Sequence, residues 1–217
     1  MMNVQGTHAA RLEDALLRLD RAAVGALLRE LSGPTALSRI ALADEVIAPA
    51  LLSIGEAWDT GEAALSQVYM AGRLIEAALE EHLPPAPPRP GAPRIGVGVL
   101  EDHHALGKRI VCAVLSSGGY DVRDLGSGLT AERLVDRAVE EGVDLLMVSV
   151  LMLNRALHVA EVRRQLTARG LTGITLAVGG APFIHDPDLS RLVGADHAGR
   201  SAADALRIAG AYERGER

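Results

Sequence analysis

Through the first part of the chain apolar residues return every three or four positions. Val24, Leu27, Leu28 and Leu31 form one stripe, and Val68, Ala71, Ile75, Ala78 and Leu79 form another. That spacing puts each set on one face of a helix. It predicts helices near 8–20, 21–31, 36–58 and 63–82, the third restarted or kinked at Pro49, with breaks at SGPT and DTGE. These four helices make a small bundle. Beyond residue 93 the pattern changes. The apolar runs RIGVGVL, YDVRDL, VDLLMVSVL and ITLAVGG, with a weaker one near GADHAG, read as strands. Between them lie the helical stretches GKRIVCAVLSSGG, AERLVDRAVEEG and ALHVAEVRRQLTARG. Strands separated by helices of this length need crossover connections, which are right-handed and build a parallel sheet. The expected second half is a five-stranded, doubly wound α/β domain.

Between the halves, residues 84–93 (PPAPPRPGAP) hold six of the ten prolines. Such a segment cannot continue a helix or join a sheet and tends to be extended. It divides the chain into a helical domain at 8–83, a proline-rich linker at 84–93 and an α/β domain at 94–213.

Composition narrows the function classes. Apolar residues make up 48% of the chain but aromatics only 2%, so the core is built from Leu, Val, Ile and Ala, and a β-sandwich is unexpected. A formal charge of -6 with no basic stripe argues against direct nucleic-acid binding. No segment reaches the roughly 18 uninterrupted apolar residues that span a bilayer, and the N-terminus lacks an apolar signal core. A soluble, cytoplasmic protein is expected, with no membrane partner. The single cysteine, Cys112, sits at an apolar helix position and reads as core filler.

In doubly wound sheets ligands bind outside the carboxyl ends of the strands. Three polar or glycine-bearing segments fall at those ends: Asp102-x-His104-x-x-Gly107, the stretch around Ser149, and Gly179-Gly180. A metal-binding His usually offers its other ring N–H to a carboxylate, which Asp102 could supply. The glycines would let a bulky ligand pass close to the backbone. Each part alone reads as an ordinary solvated loop, turn or strand residue. The ordered set at three strand ends points to a site.

That set, Asp102-x-His104-x-x-Gly107, Ser149-x-Leu151 and Gly179-Gly180, resembles the cobalamin-binding signature of methionine synthase and of the small corrinoid proteins that serve methanol, methylamine and related methyltransferases. The stretch LLSIGEAWDTGEAALSQVYMAGRLIEAAL is similar to the second part of the helical cap that those proteins carry. The resemblance covers roughly residues 10 to 210. It implies a helical cap followed by a Rossmann-like, flavodoxin-like domain, with cobalamin (methylcobalamin or a related corrinoid) as cofactor. It also implies that His104 becomes the lower ligand of cobalt while the cofactor's nucleotide tail enters the sheet. Gly107, Gly179 and Gly180 would make room for the tail, Ser149 would hydrogen-bond near its base, and Leu151 would line its slot. Asp102 would stabilise the proton that His104 takes up when cobalt releases it. His103 is then a neighbour facing elsewhere. Where the family often has Gly before the signature, this chain has Glu101.

Trp58, the only tryptophan, falls between two cap helices. It is either the anchor of the bundle core or, with Met70 and Tyr69, part of a roof over the upper face of the corrin. Asn154 is expected to cap a helix, Arg155 to meet the cofactor's amides or a partner, and His185 to be a surface loop residue. The resemblance implies a carrier, not catalytic alone, that accepts and donates a methyl group between a substrate-specific methyltransferase and an acceptor methyltransferase. Self-association into a homo-oligomer is left open. The alternative is a cobalamin-dependent sensor or antirepressor acting through a protein partner. Some cobalamin photoreceptors place a Glu-His pair ten and eleven residues after the cap tryptophan, where this chain has Val68 and Tyr69. A mutase small subunit is a third, weaker reading, since such subunits do not usually carry this cap.

Overall fold

The structure, a computed structural model, describes residues 4–33 and 37–216. It divides into two compact units, Met1–Pro84 and Pro85–Arg217.

The first unit is helical: α1 (Val4–Leu17), α2 (Arg21–Ser32), α3 (Arg39–Ala41), a π-helical turn (Leu42–Ile47), α4 (Ala48–Asp59) and α5 (Leu65–His82). The expected start of the third helix at residue 36, and Pro34 and Thr35 of the SGPT break, lie outside the described residues. Asp20 starts α2 by accepting a hydrogen bond from the Ala23 N–H at 2.9 Å. At the start of α5 the Gln67 side chain turns back to accept from the Ala64 N–H at 2.9 Å, and its amide donates to the Leu17 carbonyl at 2.9 Å. The stripe Val24, Leu27, Leu28 and Leu31 is buried throughout, as are Ala71, Ile75 and Leu79, while Val68 and Ala78 are half-buried. Pro49 does not break its helix. It sits in the first turn of α4, directly after the π-helical turn. Proline has no N–H to bond the carbonyl four residues back and its ring crowds that carbonyl, and the wider π turn absorbs the mismatch.

The second unit carries β1 (Arg94–Leu100), α6 (Leu106–Ser117), β2 (Asp121–Leu129), α7 (Ala131–Glu140), β3 (Leu145–Ser149), α8 (Leu153–Leu157), α9 (Val159–Ala168), β4 (Thr175–Gly179), α10 (Ala181–His185), α11 (Leu189–Leu192), β5 (His197–Gly199) and α12 (Ala202–Glu213). All pairings are parallel and the strand order is β2-β1-β3-β4-β5, the doubly wound arrangement that the alternation predicts. The order reverses between β1 and β3, which places the ligand crevice there. Leu146, Val148, Leu176 and Val178 pack with α7 and α9 on one face. Ile95, Val97, Leu145, Met147 and Ala177 pack with α6 and α12 on the other. Burial of these aliphatic rows, at about 25 cal/mol per Å² of apolar surface, is the main source of stability.

The proline-rich segment is docked from Ala86 onward. Ala86 N–H donates to the Ser116 carbonyl at 2.9 Å and Arg89 N–H to the Gly119 carbonyl at 2.8 Å. The Arg89 guanidinium lies 4.5 Å from the centre of the Tyr120 ring and bonds Glu213 at 2.9 Å. Among the described residues no helix is long and apolar enough to cross a membrane.

Candidate functional site

The parallel register brings the strand ends together. Val99 pairs with Ser149, Ser149 with Gly179, and Gly179 with Gly199, so these four form one row across the carboxyl end of the sheet. Side chains alternate along a strand, so the row continues the face that packs under α6 and α12. Its members become small from Ser149 onward. A Cβ built on Gly179 would meet only the Gly199 carbonyl, at 3.2 Å, with open space elsewhere. Ser149 is half-buried, and Leu151, two residues on, is exposed at 44%. Gly180 has a different reason to be glycine. Its φ is +113°, and a Cβ there would lie 1.9 Å from the Val150 carbonyl oxygen, so two strand ends could not close against each other with any side chain present.

The loop after β1 carries the polar chemistry. One oxygen of Asp102 accepts hydrogen bonds from the His103 N–H (2.6 Å), the His104 N–H (3.2 Å) and His104 Nδ1 (2.5 Å). Burial pushes the Asp102 carboxyl up, but the bonds from the His104 ring and the two backbone N–H groups outweigh it and hold it below the usual carboxylate range. Ionised, it can only accept, so the proton of His104 sits on Nδ1. The lone pair is then on Nε2, in a side chain 61% exposed. The second Asp102 oxygen is buried without a partner. Gly107 lies in the first turn of α6, and a Cβ built there meets nothing within 4 Å. His103 points to β2, its ring against the backbone of Gly128.

This arrangement fits a corrinoid. An imidazole whose Nδ1–H is held by a carboxylate presents Nε2 as a metal ligand. The orphaned Asp102 oxygen is an acceptor that a cofactor amide or a water can satisfy. The open space at Gly107 and Gly179 lies beside the crevice where a tail would enter.

Several features escape sequence reading. Lys108 is 4% exposed and pairs with Asp124 of β2, whose carboxylate also accepts from the Gly126 N–H at 2.8 Å. The signal was present: Lys108 shares the inward stripe of Val111, Cys112 and Leu115, and a cation in an apolar stripe calls for a partner. Asn154 lies inside α8, whose N-cap residue is Met152, so the expected cap is not formed. The expected single helix over 156–170 is two, with His158 at their junction. Arg155 bonds Glu101 at 2.8 Å. His185 is exposed at the end of α10. Burial pushes the Cys112 thiol up to about 12, which makes it unreactive filler. In the helical unit Trp58 is 48% exposed at the last turn of α4, and Tyr69 and Met70 are 66% and 40% exposed on α5. Trp58 is therefore not the anchor of the bundle core.

A doubly wound sheet with a carboxylate-held imidazole at its switch point and a small-residue row at its strand ends is the frame of a ligand-binding protein, with one metal ligand on offer beside room for a large cofactor. Comparison with known proteins agrees. Residues 95–207 match the B12 binding domain, and residues 8–81 match a second family model also described as a B12 binding domain. Trimethylamine corrinoid protein 1 of Methanosarcina mazei is 30% identical over 159 residues, covering 70% of this chain and 73% of that protein. The monomethylamine corrinoid protein of Methanosarcina barkeri superposes with a TM-score of 0.79 at 23% identity, over 95% of this chain and 98% of that one. The methanol:cobalamin methyltransferase complex of the same organism contains a chain matching at 26% identity and a TM-score of 0.52, over 94% of this chain and 79% of that one. The chain belongs to the B12-binding family of corrinoid proteins. Its cofactor is cobalamin, and it is a methyl carrier of a methyltransferase system.

Proposed function

We propose that this carrier takes a methyl group from a methyltransferase specific for a small methylated compound and delivers it to a second methyltransferase. A methylated amine is the donor class that the trimethylamine and monomethylamine corrinoid relatives suggest. When bound, cobalamin supplies a cobalt centre that accepts and releases the methyl group. The observation that carries the reading is the Asp102–His104 pair at the mouth of the β1/β3 crevice, beside the row Ser149, Gly179 and Gly199.

The residues divide the work. His104 Nε2 would hold the cobalt of the cofactor. Asp102 would keep the proton on Nδ1, so that the Nε2 lone pair is free for the metal, and its charge would stabilise the protonated ring when no metal is held. Gly107 and Gly179 leave the backbone bare beside the tail, Gly180 lets the strand ends close around it instead of making room itself, Ser149 offers its hydroxyl to the buried base, and Leu151 supplies apolar lining. Trp58 is assigned to the cofactor because a half-exposed tryptophan is free to cover an apolar ring face.

The test is paramagnetic resonance of the cobalt(II) form of protein loaded with cobalamin, produced with isotopically labelled histidine. Coupling of cobalt to a protein nitrogen is expected, lost in His104→Ala and kept in His103→Ala. Coupling to the cofactor's own base in the wild type would overturn the assignment.

A further inference from the structure

Glu101 joins β1 to the loop that carries Asp102 and His104, and its backbone is left-handed, with φ at +48°. Residues with a Cβ avoid that region, so something outside the local chain must hold it there. Three contacts do. Its N–H donates to the Leu129 carbonyl at 2.9 Å. Its carboxylate accepts from Arg155 Nη1 at 2.8 Å and from His158 Nδ1 at 2.7 Å. Arg155 lies in α8 and His158 at the α8–α9 junction, both in the segment that follows β3. The carboxylate therefore bridges the segments leaving β1 and β3, the two strands between which the sheet order reverses.

We propose that Glu101 is a positioning residue: with Arg155 and His158 it forms a latch across the β1/β3 crevice that fixes the Asp102–His104 loop in the geometry required for ligation. This rests on the reading of His104 given above. A glycine at 101 would adopt the same φ freely but would leave the loop tied only by backbone bonds. With glutamate, the loop keeps its shape because the side chain is held. The shape then extends one residue on, where the Asp102 carbonyl accepts from the Gly128 N–H at 2.6 Å and the Asp102 carboxylate orients the ring of His104.

Amide hydrogen exchange on the cofactor-free protein reads the latch without cobalamin. Glu101→Gln removes the charge, and Arg155→Met removes the partner from a partly exposed helix position where folding is safe. Both variants should exchange about tenfold faster at residues 102–105, with β4 amides unchanged. Arg155→Lys, which keeps a cation, should recover part of the protection. In loaded protein the fraction of cobalt(II) coupled to protein nitrogen should fall in both variants. A merely structural Glu101 would change thermal unfolding while leaving loop exchange relative to β4, and the coupled fraction, at wild-type values; that result would overturn the proposal. If wild-type cobalt couples to the cofactor's own base, the His104 assignment fails, and the exchange of residues 102–105 still decides whether the latch orders the loop.

Discussion

Glycines of the sheet and glycines of the helical unit do different work. Along the strands and at their ends, glycines stand where backbones or side chains arrive at contact distance: Gly180 against the Val150 carbonyl, and Gly98 of β1, where a Cβ would lie 2.4 Å from Leu134 of α7. In the helical unit, Gly55 of α4 and Gly61 of the following turn have nothing within 4 Å of the place a Cβ would take. A sheet packed between helices leaves no slack along its strands, and its strand ends must close tightly to frame a crevice. A bundle packs through interdigitated side chains and tolerates spare backbone. Tight backbone geometry therefore gathers in the sheet that frames the polar site, while exposed apolar side chains occur in both units: Leu52, Trp58, Leu65, Tyr69 and Met70 in the helical one, and Leu151, Met152, Leu153 and Leu157 after β3 in the other.

Substitutions can test how far the contrast goes. Unfolding of the helical unit can be followed by fluorescence of Trp58, the sole tryptophan, and that of the α/β unit by exchange of its strand amides. The largest effect is expected from Gly180→Ala, where overlap with a backbone oxygen and an unfavourable φ together cost about 4 kcal/mol. Strand exchange should accelerate while the tryptophan signal holds its midpoint; a shared shift would show that the units unfold as one. Lys108→Met should cost about 2 kcal/mol, because Asp124 loses a buried cation but is itself half-exposed and can rehydrate. Denaturant titration followed by circular dichroism checks it, and a neutral result would mean that the methionine packs as well as the ion pair.

Trp58→Ala should cost about 1 kcal/mol, well below the roughly 3–5 kcal/mol of a buried tryptophan, since half of the ring already meets solvent. A large loss in thermal unfolding would instead return Trp58 to the core. Smallest of all, Gly55→Ala should stabilise α4 by about 0.7 kcal/mol through helix propensity alone, seen as a raised melting temperature. The same replacement at Gly98 should destabilise, and equal signs at both positions would dissolve the contrast.

What could be read from sequence follows the same division. The helix stripes around Leu27 and Ile75 were legible because apolar periodicity is a local property. The meeting of Ser149 with Gly179 was legible because a parallel sheet aligns strand ends whatever its side chains are. What depends on distant atoms was not. Gly180 answers to Val150, Glu101 to Arg155 and His158, and neither contact leaves a periodic trace. At Pro49 the local rule foresaw a disturbance but not its form, because a π turn and a break serve proline equally well until the neighbouring helices choose. Asn154 has the chemistry of a cap, but Met152 holds the position.

The docked proline-rich segment also bears on where the chain can be cut. A fragment beginning at Arg94, where the first strand starts, would discard the Arg89 guanidinium from the face of Tyr120 and its bond to Glu213, and would remove the bonds that the Ala86 and Arg89 N–H groups give to the Ser116 and Gly119 carbonyls. A fragment beginning at Pro85 retains all four contacts. For dissection, fusion or transplantation of the cofactor-binding half, the portable piece therefore starts nine residues ahead of its first strand.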